Sequence, residues 1–161
     1  MEKDLVKDYI DCQLVDISAI ENGLLLNMKT STLIYWIARI LAVAIMIQTL
    51  YFKFSGAAES IYIFTTVGIE PWGRIGIGIL ELVASILLLF NTIAWLGAGL
   101  ALGLMLGAIG MHLTILGIEV KDDGGYLFLL CLVVSACSII ILFKNKDKVL
   151  NLISVFIKRK Q

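Results

Sequence analysis

Several residue types that build metal centres and tight loops are scarce in this sequence of 161 residues, which has one proline, one histidine and three cysteines. The cysteines are Cys12, Cys131 and Cys137, and no two of them form a C-x-x-C pair, so we expect neither a metal site nor a disulfide framework. An excess of charge of one sign is also missing, because 13 basic residues balance 13 acidic ones. Without a basic surplus we expect no nucleic-acid partner.

Apolar residues are what the sequence has in abundance. They make up 60% of the chain, against about 45–50% in an ordinary soluble domain, and the mean hydropathy is +0.96. This composition predicts a membrane protein that contacts the lipid bilayer along most of its length.

Four apolar segments are long enough to cross a membrane, since about 20 helical residues span a hydrocarbon layer of roughly 30 Å. The second and third are separated by only a few residues, which predicts a tight antiparallel pair of helices. The sequence therefore predicts an all-α membrane protein with a domain at 33–143, in which four transmembrane helices form an antiparallel up-down bundle. The predicted spans are 33–54, 73–92, 94–117 and 126–143.

Three further segments flank or connect these spans. Lysine and arginine are concentrated in the two terminal segments, so the positive-inside rule predicts that both termini are cytoplasmic. Residues 1–32 then form a cytoplasmic arm that could be an amphipathic helix, and 144–161 a basic amphipathic tail on the inner leaflet. The connection at 55–72 is expected to hold a short interfacial helix on the outer side.

A glutamate, Glu81, lies inside the otherwise apolar stretch GILELVASILLLF of the second span. Ionisable side chains at bilayer depth are costly and usually face the protein interior or a partner. Arg74 and Ser85 share its helix face, while Arg39 and Lys53 share one face of the first span. We expect these two faces to meet.

The heights of these residues suggest how they pair. At a rise of about 1.5 Å per residue, Arg39 and Glu81 differ in height by roughly 9 Å, within the combined reach of their side chains. We therefore predict an ion pair between Arg39 and Glu81, which either fixes the helix contact or exchanges protons. The same count places Lys53, Arg74 and His112 near the outer rim, so that with Ser85 they complete a candidate polar pocket open to the outer side.

Glycines recur at four-residue spacing in the third span. Such a ridge of small residues allows a neighbouring helix to approach closely, either inside the bundle or in a second protomer. The members of this predicted helix-packing ridge are Gly99, Gly103, Gly107 and Gly110.

Three motifs together resemble the DoxX-like family of small four-helix bacterial membrane proteins. They are ARILAVAIMIQTLYFKFSGA, VGIEPWGRIGIGILELVASILLLF and AGLALGLMLGAIGMHL, and the resemblance covers about 33–143. It implies that the family's intramembrane arginine, lysine, glutamate and histidine correspond to Arg39, Lys53, Glu81 and His112. The arginine that the family often has between its second and third helices is absent, since this chain has NTIAW there.

The resemblance also implies a bacterial inner-membrane location and a place among redox proteins, because relatives are associated with quinone-linked thiosulfate oxidation, thiol-stress complexes and maturation of periplasmic redox enzymes. Three functions stay open at this point. The first is a membrane redox component that binds a quinone and receives electrons from a partner protein. The second is a non-enzymatic anchor or assembly subunit, which could also form homo-oligomers, and the third is a carrier of small solutes or protons.

Overall fold

The computed structural model describes the backbone of residues 2–158 and the side chains of 28–151 and Ser154. Within the described residues every regular element is a helix, and a π-helical turn at His112–Leu116 follows α4 directly. The helices are α1 (Glu2–Ser55), α2 (Ala58–Val67), α3 (Trp72–Leu89), α4 (Ala94–Met111), α5 (Tyr126–Lys144) and α6 (Lys146–Lys158).

Four helical stretches are long and apolar enough to cross a membrane, as the sequence predicts. The prediction of an all-helical protein with four spans is therefore confirmed, while the antiparallel up-down order of all four stays a prediction. The candidate spans are Met28–Ser55, Trp72–Leu89, Ala94–Leu116 and Tyr126–Lys144.

The chain divides into two compact units, Met1–Trp36 and Ile37–Gln161. The first unit is helical from Glu2 onward, and its described side chains include Thr32, whose hydroxyl donates to the Met28 carbonyl over 2.9 Å. The proposed amphipathic character of the arm rests on side chains that lie outside the described residues. All the candidate site residues belong to the second unit.

Both short segments predicted beside the membrane contain helices. The 55–72 connection holds α2, which ends at Gly68, where a left-handed φ of 83° lets the next amide, of Ile69, donate to the Phe64 carbonyl over 2.9 Å. The tail holds α6. Their placement at the membrane surfaces remains a prediction, and most side chains in the second half of α6 lie outside the described residues.

Helices α3 and α4 approach closely at Gly97, outside the predicted glycine ridge. A Cβ atom added to Gly97 would lie 2.7 Å from the Leu88 amide nitrogen and 2.9 Å from the Ala84 carbonyl oxygen. Ala84, Leu88 and Ala98 are completely buried here. The close contact therefore depends on a glycine that faces α3, and α4 also packs against α5 on its other side.

The four glycines of the predicted ridge make no such approach. A Cβ atom added to any of them would meet no described atom within 4 Å, so the described residues make no close contact with this ridge. Spacing identifies a small-residue face but not the neighbour it meets, and here that face is open. Packing between protomers stays a prediction. The residues of this glycine ridge are Gly99, Gly103, Gly107 and Gly110.

Candidate functional site

The buried carboxylate of Glu81 is paired with Lys53. The ammonium nitrogen of Lys53 lies 2.8 Å from Oε2 and 3.1 Å from Oε1, and the hydroxyl of Thr49 lies 3.4 Å from Oε2. Glu81 is 3% exposed and the Lys53 side chain 15%, so the pair is largely withdrawn from solvent. A buried charge of this kind is stable only with a partner, which Lys53 provides through both carboxylate oxygens. The single hydroxyl hydrogen of Thr49 has a shorter contact with the Met46 carbonyl, over 2.9 Å.

The predicted ion pair between Arg39 and Glu81 is wrong. The guanidinium of Arg39 donates from Nε to the Leu88 carbonyl over 2.9 Å and from Nη1 to Oδ1 of Asn91 over 2.9 Å. Leu88 lies in the last turn of α3, where carbonyl groups have no partner within the helix and carry the negative end of its dipole. Arg39 therefore caps the carboxyl end of α3, which leaves the Glu81 carboxylate to the flexible side chain of Lys53.

Arg74 has a comparable role at the other end of the same two helices. Its guanidinium pairs with Glu70, four residues earlier, at 2.8 Å, and its Nη1 donates to the main-chain carbonyl of Lys53. Since Lys53 lies in the last turn of α1, an arginine of α3 caps α1 just as an arginine of α1 caps α3. Both arginines are consequently engaged with backbone and neighbouring polar groups.

Lys53, Glu81 and His112 line one cavity of about 420 Å³. Its wall is mostly apolar and has residues from each of α1 to α5, together with His112 and Leu116 of the π-helical turn and Asp123 of the following loop. Among the predicted pocket residues, Arg39, Arg74 and Ser85 are not part of this wall. The Ser85 hydroxyl instead donates to the carbonyl of Glu81 in its own helix over 2.8 Å.

His112 is the first residue of the π-helical turn and is 5% exposed. Its Nδ1 lies 2.8 Å from the Gly117 carbonyl oxygen, and its ring meets Phe128 edge-on with centroids 5.6 Å apart. A carbonyl oxygen only accepts hydrogen bonds, so Nδ1 carries the hydrogen and Nε2 is the nitrogen left for an occupant of the cavity. Short π-helical insertions of this type are frequent at functional sites.

Asp123 is a cavity residue that the sequence reasoning missed. Its Oδ1 accepts from the amides of Val120 and Gly125 over 2.8 and 2.9 Å, and its Oδ2 from the amide of Leu127 over 3.0 Å. Burial by itself would raise the pKa of this carboxyl, but the three amide donors and the nearby His112 lower it below its usual value. The signal was present, since an aspartate in DDGG directly before an apolar run is typical of a helix start.

The four apolar helices define this chain as a small multi-pass membrane protein. It has an internal polar site, because a largely buried ion pair and a histidine line the same cavity. The family model for DoxX matches residues 34–115, just over half of the chain, and the protein therefore belongs to the DoxX family. The matched region contains Lys53, Glu81 and His112 and ends before Asp123. No curated protein and no solved structure matches the chain.

Proposed function

We propose that this DoxX protein is a membrane component of a redox system and binds a lipid-soluble carrier, such as a quinone, in the cavity beside Lys53 and Glu81. The observation that carries the proposal is the combination of an ammonium–carboxylate pair and a histidine on the wall of one mostly apolar cavity of about 420 Å³. Binding sites for small molecules commonly have about 300–1,000 Å³, apolar walls and a few placed polar groups.

The polar groups on this wall suit a carbonyl or hydroxyl head group. A quinone carbonyl accepts a hydrogen bond, which the Lys53 ammonium can donate, and a quinol hydroxyl can donate to Nε2 of His112. A quinone gains two protons with its two electrons when it is reduced. Glu81 and His112 are two groups on the wall that can release or take up those protons.

The proposal includes a redox partner protein that docks on the membrane domain and transfers electrons to the carrier. Within the described residues no group of histidine, cysteine, aspartate and glutamate side chains could hold a metal ion. We further propose a bacterial inner-membrane location, which the resemblance to the DoxX-like family implies, and cytoplasmic termini, which the distribution of lysine and arginine along the chain supports.

Binding of a quinone to the purified protein in lipid nanodiscs tests the proposal. We expect saturable binding of both quinone and quinol to the wild type. Glu81→Gln should weaken quinone binding by about tenfold or more, because the Lys53 ammonium loses the carboxylate that positions it beside the quinone carbonyl. His112→Ala should weaken quinol binding by a similar factor, because Nε2 no longer accepts from the quinol hydroxyl. Glu70→Gln is the matched control, since Glu70 is also paired with a cation but is not part of the cavity wall.

Two results would overturn the proposal. One is wild-type protein that binds no more quinone than empty nanodiscs, and the other is equal affinity in the wild type, Glu81→Gln and His112→Ala. Thermal unfolding of each variant shows whether a loss of binding reflects a loss of fold.

The open glycine ridge favours a second candidate function, that of an anchor or assembly subunit. Its small residues leave room for a helix of another protein, because a Cβ atom on Gly99 would meet nothing within 4 Å. Co-purification of a defined membrane partner that survives Glu81→Gln but is lost in Gly99→Leu would favour this function over carrier binding.

A further inference from the structure

Some residues of the cavity wall on α1 and α4 are exposed. Gln48 and Phe52 on α1, and Gly103 and Gly107 on α4, all line the cavity and are all exposed. A residue that lines the cavity and is also exposed on the protein surface indicates a place where the cavity opens to the outside of the protein. These four residues define what we call the side opening.

The side opening lies at the depth of the hydrocarbon layer. In the span Ala94–Leu116, Gly103 is nine residues from one end and Gly107 nine residues from the other. At about 1.5 Å per residue, both glycines are roughly 13 Å or more from either end of the span. The opening therefore faces lipid acyl chains.

The glycines keep the side opening wide. Neither Gly103 nor Gly107 would have an atom within 4 Å of an added Cβ, so any larger side chain there would extend into the gap without a neighbour to hold it back. Gly99 belongs to the same ridge and is just as exposed, but it is not part of the cavity wall. The ridge thus has two glycines at the side opening, Gly103 and Gly107. Gly99, which is also exposed but lies outside the cavity wall, serves as their control position.

Gln48 gives independent support for a ligand at this place. It is a polar amide on an apolar span, and among the described residues the structure records no hydrogen bond to its side chain. An amide without a partner in hydrocarbon is unfavourable. A ligand with a polar head that passes or occupies the opening would supply the missing partner.

We propose that the cavity opens sideways into the membrane over Gly103 and Gly107, and that this side opening takes the hydrocarbon tail of a single-tailed amphiphile whose polar head lies beside Lys53 and Glu81. This inference rests on the proposed function and adds the route and the form of the ligand. The exposed Glu59 also lines the cavity, from α2, so a second approach exists for a small head group without a tail.

The experiment compares two probes in nanodiscs, a quinone with a decyl tail and the same ring without a tail. Gly103→Leu and Gly107→Leu fill the side opening and should weaken binding of the tailed probe by about tenfold or more, while binding of the tail-less ring changes by less than about twofold. Gly99→Leu should leave both affinities unchanged. Leucine is a better helix former than glycine, and thermal unfolding confirms that each variant is folded.

Each other outcome is decisive. Unchanged affinity for the tailed probe in both Gly103→Leu and Gly107→Leu would overturn the side opening but leave the proposed function intact. Equal loss in Gly99→Leu would also overturn it, since that position lies outside the wall. Wild-type protein that binds neither probe would overturn the proposed function itself, and the inference with it.

Discussion

The two basic residues that α1 places against α3 differ in what surrounds them. Arg39 is 2% exposed and its guanidinium is held by the carbonyl of Leu88 and the side chain of Asn91, at the carboxyl end of α3. Lys53 is paired with the Glu81 carboxylate, and both side chains face a cavity. One basic residue therefore caps a helix end, whereas the other belongs to a charged pair on the wall of a cavity.

This difference separates a structural role from a candidate functional one on the same helix. An arginine bound to backbone carbonyls serves the fold, because its donors are satisfied by groups that do not change. A carboxylate on a cavity wall can change its partner when a ligand enters. The predictions below test whether the two sites respond differently to the same kind of change.

Removing Lys53 should have the largest effect on stability. Lys53→Met leaves the Glu81 carboxylate buried without its partner, which is expected to lower the free energy of unfolding by about 3–5 kcal/mol. The double variant Lys53→Met with Glu81→Leu removes both charges and should recover most of that loss. Reversible unfolding in mixed micelles measures both values, and a double variant no more stable than Lys53→Met would contradict the pairing.

Removing the Arg39 guanidinium should be the next largest change. Arg39→Leu leaves the Leu88 carbonyl without its donor and is expected to cost roughly 2–3 kcal/mol of unfolding free energy. Arg39→Lys keeps the charge but loses the planar fork, so its stability should lie between those of the wild type and Arg39→Leu. Quinone affinity should stay unchanged in the folded fraction of either variant, and a selective loss of binding would place Arg39 in the site.

Asp123 provides a smaller, pH-dependent effect. Because its pKa is lowered in the folded protein, its contribution to stability is present above the unfolded value of about 3.9 and is lost as the pH falls through the folded pKa. Thermal unfolding between neutral pH and pH ~3 should therefore show a decline on the acid side that is shallower in Asp123→Asn. If the unfolding temperatures of the wild type and Asp123→Asn fell in parallel with pH, the amide contacts of Asp123 would not depend on the charge of its carboxylate.

The pair between Glu70 and Arg74 should have the smallest effect. It joins Glu70, just before α3, to Arg74 in the first turn of α3. The Glu70 side chain is 18% exposed against 3% for Glu81, so its carboxylate keeps more contact with solvent and its pairing contributes less. Glu70→Gln should leave the unfolding temperature nearly unchanged, since Arg74 keeps its contact with the Lys53 carbonyl. A drop as large as that of Lys53→Met would mean that the two ion pairs are equivalent.

The sequence alone predicts four apolar helices and Glu81 as a buried charge, because hydropathy and helical spacing are local properties. The DoxX family is indicated separately, by the resemblance of three motifs. The sequence does not predict the partner of Glu81. Position along a helix indicates which residues lie at the same depth in the membrane. Which of them pairs with Glu81 also depends on the rotation of each helix and on competing acceptors such as the Leu88 carbonyl, which binds Arg39. For the same reason the sequence does not predict the contact of Gly97 with α3. That contact depends on which face of α4 is turned towards α3, and the four-residue spacing of glycines does not determine this.

The central claim is that the pair of Lys53 and Glu81 forms the head-group site for quinone. The most direct test is the quinone affinity of the double variant Lys53→Met with Glu81→Leu. It is measured in nanodiscs, on protein shown to be folded. The variant retains the apolar wall and His112 but has no ion pair. If the pair forms the head-group site, the folded variant should bind quinone about tenfold more weakly than the wild type or worse. Wild-type affinity in a folded double variant would contradict the claim and leave the pair with a structural role alone.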